Sequence, residues 1–197
     1  MLVHGLILAG GEGRRFGGAD KTRLILGGQS LLARAGDRLK PQVQALALSA
    51  NGDPARFPGF SGPVLGDAGA GRLGPMAGVL AGLDWLAEIG GDGLVTVAVD
   101  TPFFPHDLVA RLVQASGTSG GFALAESGGR VHPICGLWPL SLRPALGAAL
   151  QAGERRIGDW MLARGAARAV FWPATPDPFF NINTPEDLAA AESFLTP

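Results

Sequence analysis

The segment spanning residues 8–21, LAGGEGRRFGGADK, concentrates the residue types that handle phosphate. Glycines let a backbone approach phosphate oxygens and aim N–H groups at them. Cations in the same loop neutralise the charge such a ligand brings. Between Gly10 and Ile25 stand Arg14, Arg15, Lys21 and Arg23 against Glu12 and Asp20, a cationic excess in a chain whose net charge is −1. The implied ligand is a small anion rather than a polyanion. The spacing is neither common phosphate loop: Asp20, not glycine, precedes Lys21, and Phe16 stands where G-x-G-x-x-G needs its last glycine. Read on glycines alone, the segment fits an ordinary strand-to-helix loop equally well.

Other segments could carry chemistry of their own. Asp100 ends an apolar run and precedes Thr101-Pro102. A carboxylate at a strand end can hold Mg²⁺ through hard oxygen, or it can cap a turn. Gly74-Pro75-Met76-Ala77-Gly78 opens a helix whose N-terminus could face an anion or a ring, though Pro at N1 explains the turn by itself. Asp67 lies upstream in a glycine-rich loop, where a solvated acid is the plain reading. Asn181 and Asn183 fall on one face of an extended segment. Two amides there can read a heterocycle edge or hold phosphate, or they can cap the closing helix. His132 reads as a turn or strand-edge residue, Cys135 as a small buried apolar residue, and residues 153–156 (GERR) as a phosphate contact or a solvated helix start. No Cys/His set has zinc spacing.

The elements that must position these residues alternate between strand and helix patterns. Residues 2–9, 43–49, 63–65, 94–99, 122–125, 131–138 and 169–171 read as strands. Residues 30–39, 76–88, 107–115, 142–150 and 157–163 read as helices. Thr184, Pro185 and Asp187 supply the N-cap, N1 and N3 of a closing helix. The alternation predicts an α/β fold with a mostly parallel sheet, and ligands of such sheets sit beyond the carboxyl ends of the strands. The loop after residue 9, Asn51 and Asp100 should therefore converge on one edge.

Composition sets the class. The 197 residues are 47% hydrophobic and 17% charged, with Gly 31 and Pro 15, which fits a globular chain and a single domain over 1–197. Sixteen Lys and Arg against seventeen Asp and Glu exclude a broad grip on nucleic acid. One cysteine fits a reducing compartment, expected to be the cytoplasm. No apolar run approaches a membrane span, and residues 2–9 lack the basic flank of a signal peptide.

Taken together, residues 8–21, Pro41-Gln42-Val43 leading to Ser49-Ala50-Asn51, GPMAG at 74–78, DTPF at 100–103, His132-Pro133, GERRI at 153–157 and NINTPEDL at 181–188 resemble the molybdenum cofactor guanylyltransferase family (MobA) over almost the whole chain. The first segment marks a wider nucleotidyltransferase superfamily, and its combination with NINTPEDL is more specific. A Gly at 136, where the family more often has Ala, is a small departure. The resemblance implies a three-layer α/β/α, Rossmann-like nucleotidyltransferase fold. It implies transfer of GMP from GTP to the terminal phosphate of Mo-molybdopterin, with release of pyrophosphate and Mg²⁺ as cofactor. It maps nucleotide contacts onto Leu8, Ala9, Gly10, Gly11, Lys21, Asn51, Asp67 and Asp100, with Asp100 also the metal ligand. Arg15 and Gly18 match the functional loop, and Lys21, Asp100 and Arg15 are the catalytic set. Asn181 and Asn183 match the pterin side. Transient contact with molybdenum-insertion and molybdoenzyme maturation proteins is a further expectation, with no nucleic acid or membrane partner. Transfer of another nucleotide by the same fold, as in a molybdopterin cytidylyltransferase, and a non-catalytic GTP sensor are the alternatives. An ionised phosphate nucleophile needs no strong protein base, which agrees with His4, His106 and His132 falling in no catalytic arrangement.

Overall fold

The computed structural model describes residues 1–10, 16, 20–66, 74–117, 120–172 and 174–195. Nine strands and six α-helices follow one another along these residues. They are β1 (Val3–Leu8), the short pair β2 (Ile25–Leu26) and β3 (Gln29–Ser30), α1 (Leu31–Leu39), β4 (Leu46–Ser49), β5 (Val64–Leu65), α2 (Pro75–Ile89) and β6 (Gly93–Ala98). Then come α3 (Leu108–Ser116), β7 (Ala123–Ser127), β8 (Arg130–Pro139), α4 (Arg143–Gln151), α5 (Ile157–Ala163), β9 (Ala167–Phe171) and α6 (Pro185–Ser193). The central sheet has the order β5-β4-β1-β6-β8-β7-β9.

Side-chain alternation along the strands explains the layers. In β1, Val3 and Ile7 enter one apolar cluster while Leu6 and Leu8 enter the other, and in β6 Val95 and Val97 part from Leu94 in the same way. A period of two sends successive side chains to opposite faces. Both faces are apolar, so both must be covered. Leu31, Ala35 and Leu39 of α1, Leu108 and Leu112 of α3 and Ala191 of α6 cover the first. Met76, Val79 and Leu83 of α2, Leu146 and Leu150 of α4 and Trp160 of α5 cover the second. In α2, a Cβ at Gly78 would meet Ser49 Oγ at 2.5 Å and Leu8 Cδ2 at 2.7 Å, so these glycine faces let the helix lie close on β1 and β4.

The sheet is mostly parallel, with one reversal absent from the element-by-element reading. Strand β8 runs antiparallel to both β6 and β7. Its cause is local: Gly128 and Gly129 have φ of 55° and 78°, the two positive values that a two-residue hairpin turn needs. Gly27 and Gly28 turn β2 into β3 in the same manner, a ribbon the apolar pattern did not predict because two-residue strands carry no period. Strand β4 begins at Leu46 rather than 43, although Gln44 N–H still donates to Val3 O at 2.9 Å. The closing helix starts as expected: Thr184 and Asp187 form a complete capping box with Pro185 at N1.

Candidate active site

Three parallel strands end level with one another. Ala9 N–H donates to Ser49 O at 2.9 Å and Val99 N–H donates to Leu8 O at 3.0 Å, so the residues just past β1, β4 and β6 share one edge. The chain leaves β1 for β4 on one side and reaches β6 on the other, which places the crevice of the sheet at β1. The predicted convergence of Gly10, Asn51 and Asp100 is what the sheet builds. Leu8 O and Ala9 N–H are committed to the sheet, so Ala9 C=O and Gly10 N–H are the first main-chain groups past these bonds. A Cβ at Gly10 would meet nothing within 4 Å. Among the described residues no atom therefore demands glycine there.

Lys21 and Asp100 meet at this edge. Lys21 Nζ lies 2.7 Å from Asp100 Oδ2 and donates to Asn183 Oδ1 at 2.9 Å, with the ion pair's side chains 12% and 16% exposed. These partners are separated by 79 and 162 residues in sequence. An ammonium has three donors, and among the described residues two of them are used, leaving one N–H for a ligand. Asp100 Oδ1 is buried and has no hydrogen-bond partner among the described residues. An orphaned carboxylate oxygen in this position fits a hard divalent cation. Among the described residues no three His, Cys, Asp or Glu side chains group to hold a metal, so phosphate and water would supply the other ligands.

Each of the three is held by its own local device. Asp20 caps the single 3₁₀ turn that carries Lys21, accepting from Thr22 N–H at 3.0 Å and Thr22 Oγ at 2.6 Å. Arg56 Nη2 reaches Asp20 Oδ2 at 2.5 Å while its Nη1 donates to Asn51 O at 3.1 Å, tying the Lys21 turn to the loop after β4. Burial alone would raise the Asp20 carboxyl, but the hydrogen bonds from Thr22 and the Arg56 charge outweigh it and hold it below the usual carboxylate value. Asp100 is fixed through its backbone, whose carbonyl accepts from Ile182 N–H at 2.8 Å. Asn183 is fixed by the capping box, since Asp187 Oδ2 accepts from Asn183 N–H at 2.8 Å and Thr184 N–H at 2.9 Å.

The remaining candidates divide. Gly11, Arg15, Gly18 and Asp67 lie outside the described residues. Asn181 is exposed, whereas Asn183 joins the Lys21–Asp100 cluster. In the GERR segment, Glu154 Oε1 accepts from Arg155 N–H and Arg156 N–H at 2.7 Å each, and Arg156 pairs with Asp159 at 3.2 Å. Its charges organise the start of α5, with Arg164 stacked 4.1 Å over Trp160 beside them. Cys135 is 2% exposed, and burial pushes its thiol up to about 12, so it stays protonated. Sequence reasoning missed Arg56, which lay in a loop without periodicity. It also missed the grouping of His132 with Ser127 and Asp177, for which the Gly-Gly hairpin between two apolar runs was the available signal.

Comparison with known proteins agrees with this geometry. Residues 5–167 match the model of the MobA-like NTP transferase domain. A molybdenum cofactor guanylyltransferase of Cereibacter sphaeroides is 56% identical, covering 99% of this chain and 98% of its own. One of Rhodobacter capsulatus is 51% identical over 99% of this chain and 97% of its own. The crystal structure of molybdopterin-guanine dinucleotide biosynthesis protein A from Archaeoglobus fulgidus shares the fold at a TM-score of 0.76 and 24% identity, covering 98% of each chain. With its relatives matched almost end to end and the family model matching most of its length, this chain belongs to the MobA-like NTP transferase family, among the molybdenum cofactor guanylyltransferases.

Proposed function

We propose that this protein transfers GMP from GTP to the terminal phosphate of Mo-molybdopterin and releases pyrophosphate. The observation that carries the reading is the Lys21–Asp100–Asn183 cluster at the crevice of the sheet. Both reactants are anions, so charge is the barrier the protein must lower. GTP lies over β1 and β4, with its phosphates against Gly10 and its neighbours Leu8, Ala9 and Asn51. The free N–H of Lys21 points charge at the α-phosphoryl group, where negative charge grows in the transition state. Asn183 and Asp100 hold the ammonium still, so its alignment costs nothing at the moment of reaction. Asp100 Oδ1 would hold a divalent metal, which we take to be Mg²⁺, and such an ion would supply charge neutralisation beside the phosphates. Gly11, Arg15 and Asp67 complete the nucleotide side, and Asn181 with Asn183 borders the pterin side.

Residues 1–197 act as a single domain in this reading, supported by one seven-stranded sheet that includes both β1 and β9. Among the described residues no helix is long and apolar enough to cross a membrane. A cytoplasmic setting and brief contact with molybdenum-insertion and molybdoenzyme maturation proteins follow as part of the same proposal.

The deciding experiment measures pyrophosphate release with Mg²⁺ and molybdopterin, comparing GTP, CTP and ATP. Release with GTP alone supports guanylyl transfer. Equal release with CTP rejects it, and GTP binding without release points to a sensor. Asp100→Ala should lower turnover at least ~100-fold while the fold persists, because the site loses its metal oxygen. Turnover equal to the parent's would remove Asp100 from the reaction.

A further inference from the structure

A second polar group occupies the same edge of the sheet, on the far side of β6 from β1. Ser127 ends β7, which points the same way as β6 because β8 is antiparallel to both. His132 lies across the hairpin, beside a slip in pairing where Leu124 faces Gly136 but Ala125 faces His132. Bulges of this kind re-aim the side chains next to them. Thr96 Oγ1 secures this one by donating to Ile134 O at 2.6 Å. Asp177, from the loop after β9, completes the group. Ser127 Oγ donates to the Asp177 carboxylate at 3.0 and 3.2 Å and lies 2.9 Å from His132 Nε2.

The order of contacts decides what this group can do. A nucleophilic serine gives its proton to a histidine. Here the hydroxyl proton goes to Asp177, and Ser127 is only 2% exposed, so hydrolytic chemistry is excluded. A hydroxyl has one proton. Having donated it, Ser127 must accept from His132, and Nε2 therefore carries hydrogen. That assignment leaves the lone pair on Nδ1. The ring is held in place by Phe179, stacked with centroids 4.6 Å apart at 23°. Asp177 Oδ1 also accepts Phe179 N–H at 2.7 Å, so one carboxylate fixes both the tautomer and the stacking partner. Burial lowers the imidazole's proton affinity, with Arg130 acting the same way and Asp177 opposing, so the neutral ring is favoured. His132 is half-buried, and its Nδ1 is not sealed from solvent and has no hydrogen-bond partner among the described residues.

We propose that His132 Nδ1 accepts a hydrogen bond from a ring N–H or amino group of the pterin, holding the acceptor substrate with its phosphate turned toward Lys21. The inference rests on the molybdopterin reading given above. Its support is position and polarity. The nucleotide groups Leu8, Ala9, Gly10 and Asn51 follow β1 and β4, whereas His132 lies beyond β6, on the half left for the other substrate. A lone pair on a neutral ring repels phosphate oxygen and attracts N–H donors, which a pterin presents along its edge. The chain itself bridges the two ends of such a ligand. Asp177 shares the Ser127 hydroxyl with His132, and Ile182 and Asn183 contact Asp100 and Lys21. Five residues reach at most ~18 Å, and the turn at Phe180 N–H to Asp177 O shortens that reach.

Two variants separate binding from mere structure. His132→Gln keeps an N–H donor near Ser127 and removes the acceptor at the δ position. His132→Asn offers an amide oxygen near the δ position and gives up the Ser127 contact. His132→Gln should raise the KM for molybdopterin about 5- to 10-fold, the loss of one neutral hydrogen bond, with kcat, the KM for GTP and the melting temperature within experimental error of the parent. His132→Asn should recover part of that loss. An unchanged molybdopterin KM in His132→Gln overturns the proposal, as does a loss that moves both KM values together with the melting temperature. Direct titration of molybdopterin by its pterin fluorescence, without GTP, keeps the two readings apart. If the parent binds molybdopterin but transfers no guanylyl group, the function fails while weaker binding by His132→Gln still upholds the site. If the parent does not bind molybdopterin, the site falls too.

Discussion

Gly10 stands in open space, and that makes it a probe of ligand approach separate from folding. Ala at this position meets no atom of the described residues within 4 Å, and φ at Gly10 is not positive. Gly10→Ala should leave the stability to denaturant within ~0.5 kcal/mol of the parent while weakening GTP binding about tenfold, because the methyl group stands where phosphate must come close. Calorimetric titration and urea unfolding on the same sample check both halves. Asp20 tests the support beneath Lys21. Its carboxyl titrates below its unfolded value. The stability it contributes is therefore full above about pH 3.9 and lost as pH falls through the folded value. Asp20→Asn should be less stable than the parent near neutrality, and the gap should close as acid unfolding proceeds. Unfolding curves followed from about pH 6 to about pH 2 read this directly, and a gap that stays constant would assign the Asp20 effect to packing instead of charge.

Helix α6 shows how an element's end can serve chemistry. Its capping box is a local stabilising motif, but Asp187 also accepts from the backbone of Asn183, whose side chain receives the Lys21 ammonium. Asp187→Ala should cost ~1 kcal/mol, lowering the melting temperature by about 2–4 °C for a chain of this size. It should also lower kcat several-fold, since Lys21 loses a partner that aligns it. A variant that loses stability and keeps full kcat would show that the cap is structural alone. Helix α2 makes the complementary case. Its glycine face seats it against Leu8 and Ser49, the residues immediately before the ligand edge. Burial of an element and placement of the site are here the same contact.

At the level of the molecule, the strand ends and the 3₁₀ turn of Lys21 bring Gly10, Asn51, Lys21 and Asp100 to one edge, and ligand binding should be felt by the whole fold. A ligand that binds only the folded state at 100 times its Kd stabilises by ~2.7 kcal/mol, which corresponds to about 5–11 °C in melting temperature at this size. GTP with Mg²⁺ should produce a shift of that order, and chelation of the metal should shrink it. Thermal melts with and without chelator measure the difference. Equal shifts in both would place the triphosphate away from Asp100 Oδ1.

Much of this was written locally. Continuous apolar runs marked β1 and β6 as buried strands, and the structure covers both of their faces with helices. Thr184, Pro185 and Asp187 announced the start of α6 because capping chemistry acts within four residues. The ends of β1, β4 and β6 could be named as the site because parallel sheets bind ligands at that edge. Tertiary structure alone settled the rest. The Gly-Gly turn reverses β8 locally, but the pairing of β8 with the distant β6 is set only when the sheet assembles, and two-residue ribbons such as β2–β3 show no period to read. Lys21, Asp100 and Asn183 carried no mark of each other in the chain, for their contacts span 79 and 162 residues. The same holds for Ser127 and Asp177, 50 residues apart, which give His132 its tautomer. Patterning encodes which face a residue turns to the core; which distant partner waits there is decided when the layers pack.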